Sequence, residues 1–259
     1  MALWRLRARW AVAQGWKSRL HSPAAPRRAG PDDTLRQAML APARGTLQPP
    51  IRDESLGAAG FELQGHALAL LHGKPVPGRH APAFFPRLRE NIAVLHEAHR
   101  AIAQQEGRGR HVSPAGEWLL DNIHLVVAQT RAVHDGLPRR YFRGLPVLAQ
   151  GAWAGLPRVY AIAWAYVSHA DSAFEPALLV DFLQAYQAEH ALTQGELWAL
   201  PTTLRVVLVE NLRRLAERVA TEEAAREAAH TLCDGLPDAP LPDTTAAALF
   251  GQLQTRGVA

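Results

Sequence analysis

Cysteine is almost missing from this chain. Cys233 stands alone among 259 residues, which excludes a disulfide framework and any zinc site built on thiolates. Lysine is nearly as scarce, with Lys17 and Lys74 the two lysines among 28 basic residues, set against 47 alanines. That ratio reads as the mark of a GC-rich genome rather than as chemistry. No apolar run approaches the roughly 20 residues a helix needs to cross a bilayer. The longest candidate, Val159–Val167, is about half that length and reads as a buried core helix. A secretory apolar core is missing as well, because Arg5, Arg7 and Arg9 interrupt it. So are the common catalytic signatures: G-x-G-x-x-G, the phosphate loop, G-x-S-x-G and H-E-x-x-H. D-x-D, the carboxylate pair that commonly holds the metal in transfer from a nucleotide sugar, does not occur either. His96-Glu97-Ala98-His99 is the nearest approach to a metal motif. It marks no third ligand, and His99 falls on the apolar helix face, so packing is the better reading. The expectation is no metal, no cofactor and no catalytic residue in this chain.

What charge there is lies unevenly. Residues 1–50 hold nine Lys/Arg and two Asp/Glu, a net of +7, whereas residues 51–259 hold nineteen and twenty-two, a net of −3. The basicity belongs to the tail, so the remainder has no cationic excess with which to hold nucleic acid. Within the tail, Leu3, Leu6, Trp10 and Ala13 share a helical face among arginines, a pattern suited to an anionic membrane surface. The plainer expectation is a disordered basic tail over 1–52, with Pro23, Pro26, Pro31, Pro42, Pro49 and Pro50 opposing regular structure.

From Asp53 the pattern is helical. A first helix is expected over Ser55–His72, stopped by Gly73. A second carries Leu88, Ile92, Leu95, His99 and Ile102 near a 3.6-residue spacing, stopped by Gly107 and Gly109. Ser113 and Pro114 are an N-cap and first-turn pair for a third, which ends at Asp135-Gly136. Residues 137–157 read as a connector. Pro157 opens a helix that is apolar on most sides, hence central, and Pro176 opens another. Thr193 and Glu196 form a capping box ahead of Leu197-Trp198, and Leu204, Val207, Leu208, Leu212, Leu215 and Val219 mark a strong helix running toward Cys233. No segment alternates cleanly with period two. The expected fold is all-α, an irregular multi-helix bundle over 53–233, followed by a linker and a short C-terminal helix over 234–259.

Three local clusters combine carboxylates or amides with neighbours suited to a ligand. Glu117, Trp118, Asp121 and Asn122 repeat at helical spacing, with Glu117 and Asp121 on one face. Two carboxylates so placed suit acid–base work in a cleft. They equally suit the positive end of their own helix, or pairing with Arg158, Arg205, Arg213 or Arg214 on other helices. The second cluster is Glu196 with Trp198, and the third is Glu210 with Asn211. The structural reading is the expectation for all three. Trp118, Trp153, Trp164 and Trp198 are suited to stacking on sugar rings, but helical tryptophans more often pack in a core.

Several strings also recur together in a known family. They are His111-Val-Ser-Pro-Ala-Gly-Glu-Trp-Leu-Leu-Asp-Asn122, Gly144-Leu-Pro-Val-Leu148, Gly155-Leu-Pro-Arg-Val-Tyr160, Phe182-Leu-Gln-Ala-Tyr186-Gln, Leu192-Thr-Gln-Gly-Glu-Leu-Trp198-Ala-Leu-Pro201 and Glu210-Asn-Leu-Arg-Arg-Leu215. In this order and spacing, over roughly residues 60–220, the chain resembles the N-terminal region of cyclic β-1,2-glucan synthases of the glycosyltransferase family 84 type. The resemblance implies a large inner-membrane enzyme of Gram-negative bacteria that uses UDP-glucose. It implies that a helical segment precedes the membrane and catalytic domains on the cytosolic side. The family's catalytic residues lie outside the resemblance, so none carries over. The sequence ends at Ala259, ahead of any membrane span. The expectation is therefore a truncated or split-gene piece acting as a non-catalytic scaffold or regulator, with the synthase's membrane and catalytic domains as partners. A stand-alone carbohydrate-active enzyme and a membrane-surface adaptor acting through residues 1–20 are the alternatives.

Overall fold

The computed structural model describes residues 48–78, 84–151, 153–171 and 173–234. Among them lie helices α1 (Ala58–His72), α2 (Phe84–Gly107), α3 (Pro114–Gly136), α4 (Arg139–Arg143), α5 (Arg158–His169), α6 (Pro176–Glu189) and α7 (Gln194–Asp234). The described residues form isolated bridges but no sheet. The expected tail before residue 48 and the expected linker and short helix after Asp234 lie outside the described residues.

Local chemistry sets most boundaries. Gly73 closes α1 with φ of 60°, a conformation that a side chain disfavours. Ser113 is the N-cap of α3, its hydroxyl accepting from the Gly116 N–H at 3.3 Å. Thr193 and Glu196 bond reciprocally at the head of α7, Thr193 N–H to Glu196 at 2.9 Å and Glu196 N–H to the Thr193 hydroxyl at 3.2 Å. The capping-box helix and the strong helix beyond it prove to be one element, since α7 runs for 41 residues through Pro201. Proline removes an intrahelical bond there. Packing of α2, α3 and α5 along α7 offsets that loss.

Helix α7 is the spine. Helix α2 lies beside it in the same direction, with Asn91 against Glu210 and Arg110 against Glu227. Helix α3 runs the opposite way, with Ser113 at Glu223 and Gly136 at Thr202. Helix α5 is central as its composition implies, ten of its twelve residues being buried. Helices α1 and α6 form a second close pair at Gly65, where a side chain would meet the Phe182 carbonyl oxygen and Ala185. Phe61, Tyr166 and Phe182 join α1, α5 and α6 by ring contacts of 5.3 to 6.3 Å. The connector is pinned by Val147, which pairs with Val76 and Pro157.

Candidate functional site

The three clusters separate by environment. On α3, Glu117, Trp118 and Asp121 are exposed, the indole at 49%. Asn122 turns back to the Trp118 carbonyl at 2.8 Å. The buried face of α3 is instead Gly116, Leu119, Val126 and Val133. Glu117 and Asp121 make no ion pair among the described residues, and the arginines expected to meet them are otherwise engaged or exposed. The structural reading of this cluster as an internal tie is therefore not what the packing provides. The i,i+4 spacing placed the carboxylates on one face, but that face points outward.

Glu196 lies at the other extreme, at 0% exposure. Its carboxylate takes two bonds from Arg158, at 2.8 Å from Nε and 2.6 Å from Nη2. Arg158 is itself 1% exposed and also donates to the Ala191 carbonyl. Burial pulls the Arg158 pKa down, but the hydrogen bonds and charge of Glu196 outweigh it, and the net shift is upward. Next to this pair, Arg158 faces the Tyr186 ring, and the Tyr186 hydroxyl meets His72 Nδ1 at 2.9 Å. Burial, then the charges of Arg158 and His190, push His72 down to about 3. Burial pushes Tyr186 up to about 12. Both are thus neutral near pH 7. Trp198, two residues beyond Glu196, is 68% exposed.

Glu210 is the centre of a second buried network. It accepts from Arg87 Nε and Nη2, Asn91 Nδ2, Arg213 Nη2 and Arg214 Nε at 2.6 to 3.2 Å. Burial opposes its charge, but the Arg87 bonds and the charges of Arg87, Arg214 and Arg213 hold it down to about 2. Arg214 also lies over the Trp164 ring at 5.0 Å, within an aromatic group completed by Trp153 and Tyr160. Asn211 turns the other way and bonds both the N–H and the carbonyl of Ile51. Trp153 and Trp164 accordingly belong to packing, whereas Trp118 and Trp198 are available to solvent.

A pH consequence follows from these shifts. His72 is depressed in the fold, so the unfolded chain takes up a proton first as pH falls below 6.5, and stability drops from there toward pH 3. Glu210 is also depressed, so its contribution is complete above about 4.5 and is lost as pH falls toward about 2. Urea unfolding measured from pH 7 to pH 3 should show a falling free energy. Replacement of His72 by Gln should flatten the part between pH 6.5 and 4.5.

The sequence did not reveal Glu223 as a structural group. It is buried at 3% and accepts from the Ser113 N–H at 2.9 Å, closing the start of α3 from α7. Two open clefts lie among the described residues. One, of about 530 Å³, lies between α1 and α6 and is lined by alanines together with Glu62, His66, Asp181 and Gln184. The other, of about 580 Å³, lies between the α2–α3 turn and the distal part of α7, with Arg110, His111, Arg226 and His230 around Glu223 and Glu227. No His/Cys/Asp/Glu group suited to hold a metal occurs among the described residues. No described helix is long and apolar enough to cross a membrane.

No protein-family model matches the chain. Among curated proteins, the cyclic beta-(1,2)-glucan synthase NdvB of Rhizobium meliloti (strain 1021) is 40% identical over 160 residues, 60% of this chain. The chain spans 6% of the length of that relative. The chain, whose described residues are mainly helical and without a sheet, is related over those 160 residues to one short region of a cyclic beta-(1,2)-glucan synthase.

Proposed function

We propose that the chain is a non-catalytic helical region of a cyclic β-1,2-glucan synthase system, serving as scaffold or regulator. In this reading the membrane-embedded and catalytic parts are supplied by other sequence, and the chain is a fragment or split-gene product. Its place is the cytosolic face of a bacterial inner membrane, with residues 1–20 as a further contact to anionic lipid. The observation that supports the reading best is the state of the buried carboxylates. Glu196 and Glu210, the two at 2% exposure or less, are bound bidentately or by several donors, and so serve the fold rather than a substrate.

A stand-alone carbohydrate-active enzyme is favoured by one feature, the exposed Trp118 between Glu117 and Asp121. An indole face flanked by carboxylates matches a pyranose ring, with stacking on one side and hydroxyl acceptors beside it. The two readings part in one assay. Purified protein incubated with UDP-glucose should release no UDP above the buffer rate. Release that is abolished by Glu117→Gln would transfer the function to the α3 face.

A further inference from the structure

A short strap, Gln48–Ile51, is held on the bundle by one charge network and Asn211. Gln48 Oε1 accepts from Arg87 Nη2 at 2.8 Å and from Arg213 Nη2. The Pro49 carbonyl accepts from Arg214 Nη1 at 2.9 Å. Ile51 donates its N–H to Asn211 Oδ1 at 2.6 Å and takes the Asn211 Nδ2 proton on its carbonyl at 3.3 Å, with its side chain 3% exposed. The three arginines that grip the strap are the three that bond Glu210. Their guanidinium groups come from α2 and α7, are at most 11% exposed, and carry like charge. The Glu210 carboxylate between them offsets their repulsion and aims their outward N–H groups at the strap. Arg213 is aimed further by Glu217 at 2.6 Å.

Downstream of the strap the anchoring is of another kind. Asp53 N–H donates to the Ser168 carbonyl at 2.7 Å and Leu56 N–H to the His169 carbonyl at 3.1 Å, both at the end of α5. These bonds involve none of the arginines. Upstream lie residues 1–47, which carry the basic excess of the sequence.

We propose that Glu210 and Asn211 form a clasp that seats Gln48–Ile51 on α7 and can release it independently of the anchors at the end of α5. Removing the Asn211 amide or the Gln48 acceptor unseats the strap while the α5 anchors and the Glu210 network of the bundle remain. The clasp thereby sets whether Gln48–Ile51 lies on α7 or is released up to the α5 anchor at Asp53. Its chemistry makes the seating depend on a single carboxylate placed between three cations, and on two neighbouring residues of one helix.

Hydrogen–deuterium exchange of the full chain tests this. Asn211→Ala should speed exchange of the Ile51 amide by about tenfold or more while the Asp53 and Leu56 amides keep their protection. Glu210→Gln should also speed exchange of the Ile51 amide. Should that variant fail to fold, Gln48→Ala removes a strap acceptor and leaves both helices intact, with faster exchange over 48–52 expected. Circular dichroism should stay helical in Asn211→Ala and Gln48→Ala. Unchanged Ile51 protection in folded Asn211→Ala or Gln48→Ala overturns the clasp. So does loss of protection spreading equally to Asp53, Leu56 and α7, which would mark general destabilisation.

Discussion

Glu196→Ala should be strongly damaging to the bundle, costing about 3–5 kcal/mol of unfolding free energy. The cause is the cation it leaves behind. Arg158 is 1% exposed, and its Nη1 has no partner among the described residues even in the intact pair. Without the carboxylate, Arg158 keeps the Ala191 carbonyl as an acceptor and faces a neutral tyrosine. The same substitution removes the side chain that closes the capping box, so the Thr193 N–H and hydroxyl lose their acceptor. Thermal and urea unfolding should both register the loss. Glu117→Ala and Asp121→Ala provide the contrast. Both residues are exposed and unpaired among the described residues, so each should shift stability by less than about 0.5 kcal/mol. A large loss at either one would mean that α3 carries an internal contact on its outward face.

Gly65→Ala should also be damaging, at about 1–3 kcal/mol of destabilisation. Alanine is the better helix former by about 1 kcal/mol, so propensity alone predicts the opposite sign. Sterics decide the matter. A Cβ on Gly65 would lie 2.5 Å from the Phe182 carbonyl oxygen and 2.8 Å from Ala185 Cβ, and a backbone oxygen cannot rotate away. Helix α1 would have to withdraw from α6, opening the contact of Phe61 with Phe182 and of His72 with Tyr186. Gly107→Ala is the matched control, because nothing lies within 4 Å of its Cβ position. It should be neutral or slightly stabilising in the same denaturation assay.

The elements of the fold were legible because their signals are local. Ser113-Pro114, Gly73 and the Thr193–Glu196 box are each decided within one helical turn, and each works in the structure as its chemistry implies. The apolar surround of Val159–Val167 likewise announced a central helix. The continuity of α7 through Pro201 was not legible, since a proline is a stop signal until neighbours on three sides outweigh it. Glu196 shows the same limit from another side. Its role as a cap is local and readable, whereas its pairing with Arg158 is made 38 residues away. On α3 the helical spacing of Glu117 and Asp121 gave their common face but not its direction. The direction is set by Gly116, Leu119 and Val126, which turn inward together. Two of the four singled-out tryptophans, Trp153 and Trp164, pack inside, and two, Trp118 and Trp198, do not. Aromatic content by itself does not distinguish them.

The proposal that this region contributes structure to a glucan synthase, rather than a reaction centre, rests on its relationship to that enzyme and on the internal pairing of Glu196 and Glu210. A domain exchange tests that most directly. In the Rhizobium meliloti synthase, the stretch matching these 160 residues would be deleted, or replaced by the corresponding residues of this chain. Cyclic β-1,2-glucan made by each form would then be quantified. The account predicts that the deletion loses glucan synthesis and the exchange restores most of it, including when Glu117→Gln is present. An exchange as inactive as the deletion, at equal protein abundance, would contradict it.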